Sequence, residues 1–259
     1  MEQEIGYLDF EGRQLAYATY GEGPPMVIGP RWVSHLEEEW SDPHQRAFFG
    51  ELAGTHRVVR FDRIGCGLSS RELEPRPTIE SESRQLEAVI DAVGGSAVVF
   101  ASSCCCMSAS QLAVRRPDAV EKIVYFGGYA TRHDIPEATR RSLIEFIRLN
   151  WRLGAQMLAG LFDPHASGDE IAEYTRMQRA AASLGDRVLQ LAVAGRHVAG
   201  GDLEHAGLAR RHRGQRPDLH LEAALRLRHV LRVRIFDHLQ RQHFPLFLEC
   251  CQHGIGLGR

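Results

Sequence analysis

The chain holds a single lysine, Lys122, so 30 of its 31 basic residues are arginine. A bias of that kind follows the base composition of the coding DNA and carries no function. No apolar run approaches the ~18–20 residues needed to cross a bilayer, so no membrane partner is expected. The start, Met1-Glu2-Gln3-Glu4, lacks the basic-then-apolar layout of an export signal. Cysteine is present but unpatterned: Cys66, Cys104, Cys105, Cys106, Cys250 and Cys251 include no C-x-x-C pair. That spacing excludes the common zinc sites and gives no disulfide framework. These absences together predict a cytoplasmic protein with reduced thiols and neither metal nor cofactor.

What is present is an ordinary globular composition. Of 259 residues, 44% are apolar and 25% charged, with a formal net charge of −2, enough apolar material for a sizeable core. The charge is uneven. Residues 196–259 hold 11 basic and 6 acidic residues, a balance of +5, while residues 1–195 carry −7. The same tail holds 8 of the 13 histidines. A nucleic-acid arm is not the expected reading of this segment, because it lacks lysine, aromatic interleaving and any recognised motif. The expected partner is a small-molecule substrate.

The first 130 residues alternate strands and helices. Ile5–Phe10 and Gln14–Tyr20 flank Glu11-Gly12 as a hairpin, and Met26–Gly29 is a short apolar strand. Asp42-Pro43 opens a helix to residue 54, followed by a strand at Arg57–Phe61. Thr78–Val93 has helical periodicity, Ala97–Ala101 is a continuous apolar strand, and a small-residue helix runs to Arg116. Lys122–Phe126 reads as another buried strand. This alternation predicts an α/β fold with a mostly parallel sheet and helices on both faces. Residues 131–195 break it: Leu143, Ile147 and Trp151 share a helical face, and Gly168–Leu191 is again helical. The expected division is a core over 1–130, a helical lid over 131–195 and an atypical C-terminal segment over 196–259.

Chemistry concentrates at strand 97–101 and the run Ser102-Ser103-Cys104-Cys105-Cys106. A nucleophile elbow places a serine on a tight strand-to-helix turn, where the next backbone N–H can face an oxyanion. Strand register puts Ser103 at the turn and Cys104 one residue beyond it. A thiolate at Cys104, favoured by a helix N-terminus, is the alternative nucleophile; a helix-capping serine is the structural alternative.

With Leu15–Ala18 through Gly21–Pro25, Phe61-Asp62-Arg63-Ile64-Gly65-Cys66-Gly67-Leu68-Ser69 and Ala97–Gly128 in this order, residues 5–195 resemble the α/β-hydrolase superfamily. The likeness is to its serine-hydrolase branch, related to 3-oxoadipate enol-lactonase-like and regulator-associated hydrolases. It implies Ser103 as nucleophile, with the oxyanion hole formed by the N–H groups of Cys104 and Trp32. Arg31 stands where the family places glycine, and Cys105 stands at the second elbow glycine. Asp62, Arg63 and Gly65 would brace their loop. The implied activity is hydrolysis of small esters or lactones through an acyl-enzyme.

The family supplies its acid and then its histidine after the last strands. Here Asp202, Asp218, Asp237 and Glu249 are the available acids, and His253, after the strand-like run Phe244–Cys251, is the candidate base. Two explanations of the tail stand. Either it is a divergent ending that still supplies both groups, or a frameshift near codon 195 has replaced the last strands. In the second case the protein is a catalytically incomplete hydrolase-fold relative, ligand-binding or regulatory. A second reading frame would then encode an apolar strand ending in Asp, followed by Gly-x-x-His.

Overall fold

The computed structural model describes residues 2–72, 77–126, 137–162 and 165–182. The hairpin comes first. β1 (Glu4–Phe10) and β2 (Arg13–Tyr20) pair antiparallel, Glu4 opposite Thr19 and Phe10 opposite Arg13. The two turn residues, Glu11 and Gly12, have φ of 56° and 76°, the left-handed pair that matches strand twist in a two-residue hairpin. β3 (Pro25–Ile28), β4 (Arg57–Phe61), β5 (Ala97–Ser102) and β6 (Val120–Phe126) follow. Among the described residues the sheet order is β1-β2-β4-β3-β5-β6. β2 meets β4 antiparallel, and the β4-β3, β3-β5 and β5-β6 pairs are parallel.

Side chains alternate across the sheet, and each face buries a different set. Val27, Val59, Phe61, Val99 and Ala101 point to one face, where they meet Leu86, Val89 and Ile90 of α3 (Ile79–Ala92) and Ala109 and Leu112 of α4 (Cys105–Arg115). Met26, Ile28, Val58 and Phe100 point to the other, against Phe49 and Ala53 of α2 (Pro43–Ala53). The period of two along each strand thus becomes two cores. Arg60 shares the second face. It is buried and ion-paired to Glu39 at 2.8 Å, with its guanidinium 4.2 Å from the Phe49 ring centroid.

The helix starts follow capping chemistry. Asp42 accepts from His44 N–H ahead of Pro43, as the sequence predicts. At α3 the Thr78 hydroxyl accepts from Ser81 N–H at 3.0 Å, and Ser81 Oγ returns a bond from Thr78 N–H at 2.8 Å. Thr78→Ala removes one half of this box, so urea unfolding should give a loss of about 1 kcal/mol. An unchanged midpoint would show that the box contributes nothing.

One element is unexpected and two expectations need correction. α1 (Leu36–Ser41) is an additional helix of six residues, in which Leu36 and Trp40 flank a run of three glutamates. β6 is not fully buried: among the described residues it is the sheet's edge, and Tyr125 is 54% exposed. Leu143, Ile147 and Trp151 do not share one helix. α5 (Glu137–Leu149) ends before Asn150 and α6 (Trp151–Phe162) begins after it, the buried face of α5 being Ile144 and Ile147. The side chains of Glu137, Thr139 and Arg140 lie outside the description. α7 (Gly168–Ala181) accounts for the start of the predicted 168–191 helix. The rest of that helix, the Gly127-Gly128 strand end and the whole 196–259 segment lie outside the described residues.

Candidate active site

β5 delivers the chain to Ser103, and α4 carries it away. Ser103 has φ of 53°, one of two non-glycine residues among the described ones in the left-handed region; the other is the hairpin residue Glu11. Such a conformation costs on the order of 1 kcal/mol and persists only where its surroundings impose it. Here the Ser103 N–H donates to Phe126 O at 3.2 Å, and the Ser103 carbonyl accepts from Cys106 N–H at 3.2 Å. The side chain is half-buried rather than turned into a core. Cys104, by contrast, has ordinary helical dihedrals (φ −62°, ψ −27°) as the helix-capping residue and makes no side-chain cap. The strained turn position is therefore occupied by the hydroxyl, not by the thiol.

Cys105 stands where an elbow glycine is expected, and the chain makes room on the opposing strand instead. A Cβ built on Gly29, at the end of β3, would overlap the Cys105 sulfur. Gly29 N–H also donates to Phe100 O at 2.9 Å, which holds the β3 end against β5. The glycine has in effect moved from one side of the contact to the other. Cys105 and Cys106 are each 3% exposed. Burial pushes the thiol of Cys105 well above the ordinary range and that of Cys106 up to about 12. Cys104 is also raised, chiefly by burial, although the Arg63 cation opposes it. Neutral thiols are poor nucleophiles. Iodoacetamide at pH 8 should leave Cys105 and Cys106 unmodified in the folded protein, as read by peptide mass spectrometry. Rapid alkylation would contradict the packing described.

The segment after β3 is Pro30-Arg31-Trp32-Val33. The Arg31 side chain is ion-paired to Glu39 at 3.0 Å. Trp32 is half-buried and sits against two helical clusters: Ile144, Ile147 and Leu158 from α5 and α6, and Val33, Met177 and Ala181 beside α7. The loop after β4 supports it. The Arg63 guanidinium donates to Trp32 O and to Glu82 Oε1, the latter at 2.7 Å. Asp62 Oδ2 accepts from Leu36 N–H at 3.1 Å and from Leu68 N–H at 2.9 Å, tying α1 to the 63–70 loop. Burial holds the Asp62 carboxyl above its ordinary range. Gly67, at φ 53°, lies so close that any Cβ would overlap that carboxylate. Gly67→Ala should therefore cost about 3 kcal/mol or more in chemical denaturation, from backbone strain plus displacement of a buried acceptor. A loss under 1 kcal/mol would mean that the loop relaxes freely. The bracing expected of Asp62 and Arg63 is what their contacts provide.

α7 closes over this loop. Gly67 N–H donates to Ala181 O at 2.7 Å, and Arg71 donates to the carbonyls of Ala181 and Ala180. Arg71 and Gly29 carry no local signal in the sequence, because each matters only through a residue distant in the chain. Among the described residues no hydrogen bond joins the Ser103 hydroxyl to a histidine or a carboxylate. His35, buried near α1, caps that helix through Nδ1, accepting from Glu38 N–H. His253, Asp202, Asp218, Asp237 and Glu249 all lie outside the described residues. A cleft of about 70 Å³ lies among Arg31, Glu38, Glu170, Glu173, Tyr174 and Met177, without Ser103 in its wall. Among the described residues no His/Cys/Asp/Glu group is arranged to hold a metal, and no helix is long and apolar enough to cross a membrane.

No family model matches the chain. It is 27% identical over 177 residues to a cis-3-alkyl-4-alkyloxetan-2-one decarboxylase of Shewanella oneidensis, an alignment that covers 67% of this chain and 52% of that one. The chain thus spans about half the length of this curated relative. It resembles the solved epoxide hydrolase CorEH, with a TM-score of 0.59, 18% identity and 75% of each chain covered. It also resembles a solved N-acyl homoserine lactone degrading enzyme, with a TM-score of 0.57, 18% identity, and 74% of this chain and 75% of that one covered. Sheet order, the serine at the strained strand-to-helix turn and these likenesses agree: the chain has the α/β-hydrolase fold.

Proposed function

We propose that the protein is a serine hydrolase of small ester or lactone-type substrates, acting through an acyl-enzyme on Ser103. The observation that carries this reading is the positive φ of Ser103 at the β5–α4 turn. A strained serine at that point has no packing purpose, since its side chain fills no core. In the proposed reaction a base, assigned to His253, takes the hydroxyl proton as Oγ attacks the substrate carbonyl carbon. The N–H groups of Trp32 and Cys104 receive the oxyanion. The C–O bond to the leaving alkoxide then breaks as the base returns the proton, and water hydrolyses the resulting ester by the same steps. Two relatives support the substrate class: an oxetan-2-one is a cyclic ester, and a homoserine lactone is another. The helices α5–α7, which pack on Trp32, serve in this reading as a lid that shapes the substrate pocket.

One observation favours a second reading, a catalytically incomplete protein that binds its ligand without turning it over. No base reaches Ser103 among the described residues, and the segment proposed to supply one has the Arg/His-rich composition noted above. p-Nitrophenyl acetate turnover decides between the two. Steady-state hydrolysis supports the first. Its absence, with measurable binding of a short-chain lactone by calorimetry, supports the second.

A further inference from the structure

Arg63 is a buried cation beside the proposed site, engaged through both terminal nitrogens of its guanidinium. It is 6% exposed and sits behind the elbow. One guanidinium nitrogen holds Glu82 Oε1 of α3 at 2.7 Å, and another holds the carbonyl of Trp32. Its charge also faces the thiols of Cys66 and Cys104. Of the two residues proposed to donate the oxyanion N–H groups, Trp32 is thus held directly by this side chain through its carbonyl, and the thiol of Cys104 lies within reach of its charge. The cavity beside it, lined also by Pro30, Phe61, Glu82, Gln85, Cys105 and Ser108, is about 10 Å³, the size of one water and too small for any substrate carbonyl. Any effect of Arg63 on the reaction must therefore pass through the groups it holds.

We infer that Arg63 is a positioning residue: pinned to α3 by Glu82, it holds the Trp32 carbonyl and so clamps the loop after β3, setting the spacing of the two proposed oxyanion donors. This rests on the assignment of those two N–H groups to the oxyanion hole. The physics favours such an arrangement. Donors that are held before the reaction need no reorganisation as charge develops. Glu82 keeps the guanidinium aimed, because a planar fork with one end pinned by a carboxylate has few other orientations. Fixation by Arg63 also explains how Arg31 can replace a glycine, since the loop is then held by its carbonyl rather than by its own backbone freedom.

The test separates this role from plain bracing and from the proposed activity. Arg63→Met alone leaves the half-buried Glu82 without its partner, so the informative variant is Arg63→Met/Glu82→Gln, which removes both charges. Three quantities are read: the thermal midpoint, the rate of Ser103 labelling by a fluorophosphonate together with kcat and KM for p-nitrophenyl acetate, and amide exchange over residues 29–34. The clamp predicts a folded double variant whose labelling rate and kcat fall about 100-fold, with KM within threefold, and whose 29–34 amides exchange at least tenfold faster. Labelling and exchange within twofold of wild type in the folded variant would overturn it. Should the double variant not fold, Arg63→Lys decides: it keeps the charge but cannot hold both partners, so labelling about tenfold slower with faster 29–34 exchange supports the clamp, and wild-type values overturn it. If the wild-type serine is not labelled at all, the hydrolase reading fails, and the amide-exchange comparison alone decides whether Arg63 holds the loop.

Discussion

Ser103→Ala should abolish turnover of p-nitrophenyl esters, with kcat falling at least about a thousandfold while the protein keeps its fold and its thermal midpoint. The magnitude follows from covalent chemistry: without the hydroxyl there is no acyl-enzyme, and what remains is attack by water in a site arranged for another step. Stability should hold or rise slightly. The serine makes no core contact, and alanine keeps the same backbone strain with one polar group fewer to desolvate. Ser103→Cys is the informative companion. It keeps a nucleophile at the turn, so slow acylation with stalled deacylation should appear as a burst followed by little turnover. If Cys104 were the nucleophile instead, Cys104→Ala would abolish turnover and Ser103→Ala would not. The raised thiol of Cys104 and its ordinary helical backbone argue against that outcome.

Gly29→Ala should be among the most damaging single-methyl additions in the chain, because its Cβ would overlap the buried Cys105 sulfur. The cost should be about 3 kcal/mol, the upper end for overpacking, since both atoms belong to main-chain-anchored groups at the sheet's centre. Turnover should fall at least tenfold as well. The displaced element is either the N-terminus of α4, which follows Ser103 directly, or the 30–34 loop, which is proposed to carry an oxyanion donor. The account makes a sharper claim about the pair. In a Cys105→Gly background, where the elbow has its glycine back, Gly29→Ala should cost less than about 1 kcal/mol. The coupling energy from the double-mutant cycle should then be about 2 kcal/mol. Additive losses would show that the two positions do not exchange the same space.

Much of the fold is legible in the chain because its signals are local. The Glu11-Gly12 hairpin turn, the Asp42-Pro43 helix start, the helical period after Thr78 and the apolar strands at 57–61 and 97–101 each announce themselves within a few residues, and each stands where the pattern places it. What escaped the sequence is non-local. α1 is six residues long, with three glutamates in its first turn and only Leu36 and Trp40 as an apolar pair, and its first N–H groups are satisfied by His35 and the Asp62 carboxylate. β6 has the composition of a buried strand; its exposure comes from its place at the edge of the described sheet. The break at Asn150 falls inside an unbroken apolar period, and Trp151 joins the Ile144–Ile147 cluster from the next helix, so the pattern survives while its assignment to one helix does not.

The site shows the same division. The strained turn at Ser103 can be read from one strand, one serine and one helix. The accommodation of Cys105 cannot, because the missing Cβ is at Gly29, on another strand. Nor can the function of Arg63 be read from its loop motif, where it looks like one more bracing residue until its bond to the Trp32 carbonyl is seen. The base and acid are a separate matter. Their assignment rests on the composition of the last 64 residues and on the order Ser, acid, His that the fold's chemistry follows.

The claim at the centre of this account is that Ser103 is an activated nucleophile. Treating the full-length protein with a fluorophosphonate, digesting it and locating the adduct by tandem mass spectrometry tests that claim directly. The account predicts one phosphonyl group, on Ser103, formed within minutes and absent from a urea-unfolded control. A protein that carries no adduct after prolonged exposure, or carries it on Cys104 or on a scattered set of serines, would contradict it.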